Sequence, residues 1–201
     1  MARRRTRTAG RSPPPGRVAA GGGEEEPRRV AADEGRGRRV GRERALGRVL
    51  HRLLAIGKDR SGLFAPAVAE YVARLQRQLR FELLELPEAR KHAGTPRARE
   101  EEGETLLGRL DPREHVVALD ERGKEYTSAE LARRVEGWQG AGRDLALVIG
   151  GADGLAPAVL ERAQEKLALS RFTLAHRLAR LVLVEQLYRA MTILRGEPYH
   201  K

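Results

Sequence analysis

The sequence contains no cysteine and few aromatic residues. Its 201 residues include 3 Phe, 4 Tyr and 1 Trp. The lack of cysteine excludes disulfide scaffolds, thiolate zinc sites, iron–sulfur clusters and cysteine nucleophiles. No stretch approaches the ~18 consecutive apolar residues that span a membrane, and the start of the chain lacks the apolar core of a secretory signal. We therefore expect a soluble, cytoplasmic protein with one compact domain and some additional chain.

Several catalytic and binding motifs are also missing. The sequence has no G-x-G-x-x-G dinucleotide fingerprint, no phosphate-binding P-loop, no G-x-S-x-G nucleophile turn and no H-E-x-x-H metal motif. Its five histidines show no paired ligand spacing, and adjacent carboxylates at positions 100–102 point in different directions on a helix. We predict that this acidic run is a solvated helix face and that the protein binds no metal.

The positive charge is concentrated in the first quarter of the chain. Residues 1–48 hold 14 Arg against 6 acidic residues, a net charge of +8 out of the +11 of the whole chain. The same segment carries 9 Gly, 4 Pro and no aromatic residue. Such a composition cannot bury enough apolar surface to offset the entropy of ordering the chain. We predict that residues 1–48 are a disordered basic extension and that residues 49–201 form the domain.

Three interpretations of residues 1–48 stay open. The segment is typical of a basic arm that attracts nucleic acid through its phosphates. An organelle transit peptide is also Arg-rich, but this segment has almost no Ser and contains three consecutive Glu. A gene start assigned too far upstream is the third interpretation, because the composition changes abruptly at Val49 and Val is encoded by an alternative bacterial start codon.

The remainder of the chain alternates strands and helices. Hydrophobic periodicity, caps and breakers predict five strands at 49–57, 81–86, 115–120, 144–149 and 167–170. They predict helices from Ser61 to about Leu79, and over 95–110, 127–140, 157–166 and 177–195. Asp59 or Ser61 is expected to cap the first helix, and Thr127 with Glu130 forms a capping box. This order predicts an α/β fold with a mainly parallel sheet flanked by helices.

Ligands of parallel sheets bind beyond the carboxyl ends of the strands. That rule points to Leu119, to the turn around Gly150 and to the segment that begins at Leu169. The glycines at 150, 151 and 154 would let a ligand approach the backbone, although such turns are also ordinary connections. His176 and Arg180 lie four residues apart at the start of the last helix, so we expect them to project together toward this edge.

At this point the sequence resembles a known family. Residues 49–201 are similar to the small SPOUT-superfamily methyltransferases that modify N3 of a pseudouridine in large-subunit (23S) ribosomal RNA. The resemblance is carried by several short segments, in order along the chain: 53–58, 117–124, 147–154, 169–176, Arg180, 185–190 and 198–201. Residues 1–48 have no counterpart in the family.

The resemblance implies a fold, a cofactor and partners. It implies a C-terminal trefoil knot, a homodimer in which both subunits contribute to the active site, and S-adenosylmethionine bound in the knot. The substrate it implies is 23S ribosomal RNA within the ribosome. By the same resemblance, the cofactor is contacted by Leu119, Gly150, Leu169, Ser170, Arg171, Phe172, Thr173 and Leu174.

The chemistry requires removal of the N3 proton, because a neutral imide nitrogen is a poor nucleophile. Four residues are candidates for this catalytic work: His176, Arg180, Tyr199 and His200. A histidine can accept the proton, and an arginine can stabilise developing negative charge or hold a phosphate. Two alternatives stay open: a knotted methyltransferase of another RNA specificity, and a non-catalytic RNA-binding protein of the ribosome.

Overall fold

A computed structural model describes residues 49–60 and 62–200. The predicted basic extension at 1–48, the candidate cap Ser61 and the final Lys201 lie outside the described residues. The division of the chain near Val49 therefore stays a prediction. Within the described part, no helix is long and apolar enough to cross a membrane.

Five strands and five α-helices alternate along the described chain. The strands are β1 Leu50–Ile56, β2 Arg80–Leu86, β3 His115–Glu125, β4 Leu145–Ile149 and β5 Glu165–Ala168. The helices are α1 Ala65–Gln76, α2 Pro96–Leu107, α3 Ser128–Gly140, α4 Pro157–Arg162 and α5 His176–Arg195. A short 3₁₀ turn, Arg90–His92, lies in the connection between β2 and α2. Every predicted strand and helix is thus present, with ends shifted by a few residues.

The strands form one parallel sheet in the order β2-β1-β4-β3-β5. All five residues of the central strand β4 are buried, as expected for a parallel strand covered on both faces. The prediction of an α/β fold with a mainly parallel sheet is confirmed. Because every strand runs in the same direction, all five carboxyl ends lie at one edge, which we call the carboxyl edge.

The two faces of the sheet bury separate hydrophobic cores. On β1, Leu53 and Ala55 pack in one core with α1, α3 and α5, whereas Leu54 and Ile56 pack in the other core near α2 and α4. This alternation follows from the two-residue period of side chains along a strand. The sheet is therefore covered by three helices on one face and two on the other.

Local signals at the helix ends act as the sequence predicts. The Thr127 hydroxyl accepts a hydrogen bond from the N–H of Glu130, and the Glu130 side chain accepts one from the N–H of Thr127, which is a capping box. Asp59 accepts hydrogen bonds from the N–H groups of Phe64 and Ala65 at 2.9 and 2.8 Å, so of the two candidates Asp59 bonds to the first N–H groups of α1.

The third strand is longer than predicted. The sequence predicts a strand over 115–120 and, between it and the helix at 127–140, a loop over 121–126. Instead, β3 continues to Glu125 after an irregularity between Leu119 and Lys124, both of which pair with Leu167. Gly123 makes this possible, since a Cβ there would lie 2.5 Å from the carbonyl carbon of Leu167. The polar composition that indicated a loop reflects an exposed extension along the edge strand β5.

A partly buried carboxylate on β5 joins three elements. Glu165 accepts hydrogen bonds from Arg134 Nε at 2.7 Å, Trp138 Nε1 at 3.0 Å and His115 Nε2 at 2.7 Å. Burial opposes the ionisation of Glu165, but these donors outweigh it and lower its pKa to about 2. Glu165 thereby ties α3 and β3 to the edge strand β5.

Candidate functional site

The three strand ends singled out in the sequence meet at the carboxyl edge. Strand β3 lies between β4 and β5, with Ala118 paired to Val148 and Leu119 paired to Leu167. Gly150 and Leu169 each lie two residues beyond these paired positions. The fold therefore brings the predicted positions 119, 150 and 169 close together in space.

The loop after β4 closes on itself through its glycines. The N–H of Gly154 donates to the carbonyl of Gly151 at 3.2 Å, and Gly154 has a φ of 79°, a left-handed conformation that favours glycine. Gly150 is buried, and a Cβ on it would lie 2.5 Å from the carbonyl oxygen of Gly154. The close approach of Gly154 thus requires a residue without a side chain at position 150, whether or not a ligand also needs that space.

The segment after β5 is an exposed connection into α5. Within it, the Ser170 hydroxyl accepts a hydrogen bond from the N–H of Phe172 at 2.9 Å. Leu169 packs against the hydrophobic core, whereas Phe172 is 83% exposed. Arg171 and Thr173 are also exposed. This segment presents backbone groups and one large apolar side chain to whatever binds at the carboxyl edge.

Arg180 is buried beneath the ends of β1 and β2. Its guanidinium donates to the carbonyl oxygens of Ile56 and Gly57 at 3.1 and 2.6 Å and to Glu85 Oε1 at 2.5 Å. Only 2% of Arg180 is exposed. The carboxylate that pairs with Arg180 belongs to Glu85, 95 residues away in the chain. The bonds of Arg180 fix the first turns of α5 against the carboxyl edge.

His176 lies one helical turn before Arg180 and is half-buried. Its Nε2 is buried without a hydrogen-bond partner among the described residues. Burial lowers the pKa of His176, and the charges of Arg177 and Arg180 lower it further. A neutral imidazole at pH 7 with an unused nitrogen can accept a proton. The structure thus brings two of the predicted catalytic residues together.

The tail after α5 turns back along the helix. Gly196 has a φ of 69° and ends α5, and the N–H of Glu197 donates to the carbonyl of Thr192 at 2.9 Å. The Tyr199 hydroxyl donates to Glu185 Oε1 at 3.1 Å, and the Tyr199 ring contacts that of Tyr188 edge-on, with ring centres 4.9 Å apart.

The Tyr199 hydroxyl also lies 3.1 Å from the hydroxyl of Tyr71 on α1. Burial, Tyr71 and the carboxylate of Glu185 raise the pKa of Tyr199 well above its usual value. His200 is exposed. Glu185 also forms an ion pair at 2.6 Å with Arg189, four residues farther along α5.

The four predicted catalytic residues form two separate groups within one chain. Tyr199 contacts Glu185, which lies nine residues along α5 from His176, a rise of about 14 Å. His176 and Arg180 therefore occupy the start of α5, whereas Tyr199 and His200 lie farther along the helix. The sequence predicts that all four residues serve one catalytic site, but a single chain does not bring them together.

The acidic run on α2 is not wholly a solvated face, so that prediction was wrong for Glu102. Glu100 is exposed, but Glu102 is only 9% exposed and its Oε1 accepts a hydrogen bond from the N–H of Ala89 at 3.1 Å. The neighbouring Gly103, an unfavourable residue within a helix, is a sequence signal of close packing at this point. Among the described residues, no group of three His, Cys, Asp or Glu is placed to hold a metal ion.

Similarity to known proteins is extensive over the described domain. The sequence profile of the family described as "Predicted SPOUT methyltransferase" matches residues 50–200. A protein of Anaeromyxobacter sp. (strain Fw109-5) named "Ribosomal RNA large subunit methyltransferase H" is 71% identical over 150 residues, which are 75% of this chain and 98% of the relative. A protein of the same name from Hahella chejuensis is 41% identical over 152 residues, 75% of this chain and 97% of the relative.

A solved structure, a probable methylase family protein from Haemophilus influenzae Rd KW20, aligns with a TM-score of 0.46 and 16% identity over 78% of this chain and 71% of that one. This structural likeness is too distant to add to the assignment. The family profile and the high identity over almost the whole length of the relatives are sufficient: the chain belongs to the SPOUT methyltransferase family, within the group to which these relatives belong.

Proposed function

We propose that the protein transfers a methyl group from S-adenosylmethionine to N3 of a pseudouridine in 23S ribosomal RNA, on the assembled ribosome in the cytoplasm. The observation that carries this proposal is the 71% identity to a relative named as a large-subunit ribosomal RNA methyltransferase, over 98% of that relative. Position N3 of pseudouridine and the ribosomal context come from the sequence resemblance.

The residues at the carboxyl edge fit the proposed cofactor. A methyl donor of this kind has an adenine, a ribose and a charged amino-acid part, so it needs an apolar surface together with backbone donors and acceptors. The segment 169–174, with the exposed ring of Phe172, offers both beside Leu119 and the glycine loop 150–154. We assign cofactor contacts to Leu119, Gly150 and residues 169–174. When bound, the sulfonium group supplies an activated methyl, and the protein has to orient it.

Methyl transfer also requires removal of the proton at N3. His176 is the best base among the candidates, because its lowered pKa keeps the imidazole neutral and its Nε2 bonds to no other described residue. Arg180 uses its guanidinium to hold the ends of β1 and β2, so we assign it to positioning His176 and the edge. Tyr199 holds its own proton tightly, because its pKa is raised, which suits contact with the base and not proton removal.

The separation of the two groups supports a site shared between two copies of the chain. Since Tyr199 and His200 lie far along α5 from His176, the tail of one copy would have to complete the site of another. We therefore propose a homodimer in which each active site combines His176 and the cofactor loops of one subunit with the tail of its partner. The trefoil knot implied by the family stays a prediction.

Methylation of ribosomes tests the proposal. Ribosomes from a strain lacking the gene, incubated with the purified protein and S-adenosylmethionine, should gain one methyl group on a 23S pseudouridine, located by nucleoside mapping. His176→Ala should lower the rate by about a hundredfold or more, whereas His92→Ala, a histidine paired with Glu101 on the surface, should not.

The methylation assay and a binding measurement distinguish the two alternatives. Methylation of another RNA, with 23S RNA unmodified, would indicate a different RNA specificity. No binding of S-adenosylmethionine by calorimetry would indicate a non-catalytic protein that keeps the fold.

A further inference from the structure

Helix α2 places the buried carboxylate of Glu102 against the glycine loop 150–154. Glu102 Oε1 accepts a hydrogen bond from the N–H of Ala89 at 3.1 Å, and the same carboxylate packs directly against Gly151. Ala89 follows β2 and Gly151 follows β4, so both loops belong to the carboxyl edge. One side chain from a helix on the sheet face thus joins two loops that are distant in the sequence.

Two glycines shape the space around this carboxylate. A Cβ on Gly151 would lie 2.6 Å from Glu102 Oε2 and 3.1 Å from Oε1, so any side chain at 151 would occupy the place of the carboxylate. A Cβ on Gly103 would lie 2.5 Å from the Cβ of Ala156, which directly precedes α4. Because Glu102 and Gly103 are consecutive, this close contact of α2 with the start of α4 sets how deeply the carboxylate enters.

The carboxylate does not stabilise the fold through its charge. Burial raises the pKa of Glu102, and the neighbouring carboxylates of Glu88 and Asp153 raise it further, while the backbone N–H groups of Ala89 and Gly151 lower it. An acid whose pKa is raised on folding lowers stability when it is ionised at neutral pH. Glu102 therefore holds the neighbouring loops in place while its buried charge lowers the free energy of unfolding.

We propose that Glu102 is a positioning residue that holds the loop 150–154 in the shape required to bind the methyl donor. It contacts neither cofactor nor RNA and acts through the backbone of Gly151. This inference rests on the proposed function, since it assumes that the cofactor binds against this loop.

Three variants test the role of Glu102. Glu102→Leu removes both acceptor oxygens, Glu102→Gln keeps one, and Glu100→Gln is the matched control on the exposed face of the same helix. We expect the Kd for S-adenosylmethionine, measured by calorimetry, to rise by about tenfold or more in Glu102→Leu and by a smaller factor in Glu102→Gln. The KM for the cofactor should rise in parallel with little change in kcat, as when uniform binding is lost.

A melting temperature distinguishes positioning from a general structural role. Because the neutral amide removes the cost of a buried charge, Glu102→Gln should melt within about 3 °C of the wild type although its cofactor affinity falls. Hydrogen exchange in the peptide spanning 149–155 reports on the loop without any cofactor, and it should become faster in both Glu102 variants but not in Glu100→Gln.

The outcomes separate this inference from the proposed function. Failure of the wild type to bind S-adenosylmethionine would refute the proposed function, while exchange in 149–155 would still show whether Glu102 holds the loop. Unchanged exchange and unchanged affinity in a folded Glu102→Gln protein would overturn the role of Glu102. A melting temperature that falls with no change in affinity would assign Glu102 to folding alone.

Discussion

Replacing Gly103 by Ala should push α2 away from α4, and replacing Ala156 by Gly should reverse the effect. The added Cβ at position 103 would lie 2.5 Å from the Cβ of Ala156, where an ordinary contact is about 4 Å. The next neighbour, Val159 Cγ2, is at 3.6 Å and needs no adjustment. The clash is therefore confined to a single pair of methyl groups.

The expected magnitude is a balance of two opposing effects. Overpacking a buried contact costs about 1–3 kcal/mol, while Ala is favoured over Gly within a helix by about 1 kcal/mol. We expect Gly103→Ala to lower the free energy of unfolding by about 1 kcal/mol and the melting temperature by about 2–4 °C. In the double variant, the methyl group added at position 103 fills the place of the one removed at position 156, and Gly is well tolerated at the N-cap position of α4.

Urea unfolding of the wild type, both single variants and the double variant measures the coupling. We expect the double variant to match or exceed the wild type, with a coupling energy of about 1 kcal/mol or more. Since the contact also sets the depth of Glu102, affinity for S-adenosylmethionine should fall in Gly103→Ala and return in the double variant. Additive changes, with the double variant less stable than either single one, would refute the packing argument.

Three further predictions concern the loop, the tail and the acid stability. Gly150→Ala should abolish cofactor binding in calorimetry and lower the melting temperature, because its Cβ would lie 2.5 Å from the Gly154 carbonyl oxygen; Gly140→Ala, which meets nothing within 4 Å, is the control. Deleting residues 199–201 removes an aromatic pair and a hydrogen bond, so we expect the free energy of unfolding to fall by about 1–2 kcal/mol. Ribosome methylation should slow by about a hundredfold or more. Near-normal turnover would contradict a role of the tail in the reaction. Glu165→Gln should lower stability at pH 7 by about 1–2 kcal/mol after allowance for solvent screening. The pKa of Glu165 is about 2 in the folded protein and 4.5 in the unfolded chain. The difference in the free energy of unfolding between the wild type and Glu165→Gln should therefore narrow as pH falls below about 4.5, and thermal melts over this pH range measure it.

The sequence alone determined the order and type of the elements. Period-two and helical patterns, the capping box of Thr127 and the stop at Gly196 are local signals, and each acts between residues a few positions apart. The alternation of strands and helices then required a parallel sheet, and this placed Leu119, Gly150 and Leu169 at one edge. The resemblance implied the family, the cofactor and the substrate, none of which can be predicted from hydrophobic periodicity.

Tertiary structure alone decided the partners of the polar side chains. Arg180 bonds to Glu85, 95 residues away, and Glu102 meets Gly151 only because α2 packs closely on the start of α4. Sequence spacing fixes which residues share a helix face, but the neighbour across a sheet or between two helices depends on strand order and on the distance between packed backbones. For the same reason the sequence predicts one catalytic site for His176 and Tyr199, whereas the helix between them holds them apart in a single chain.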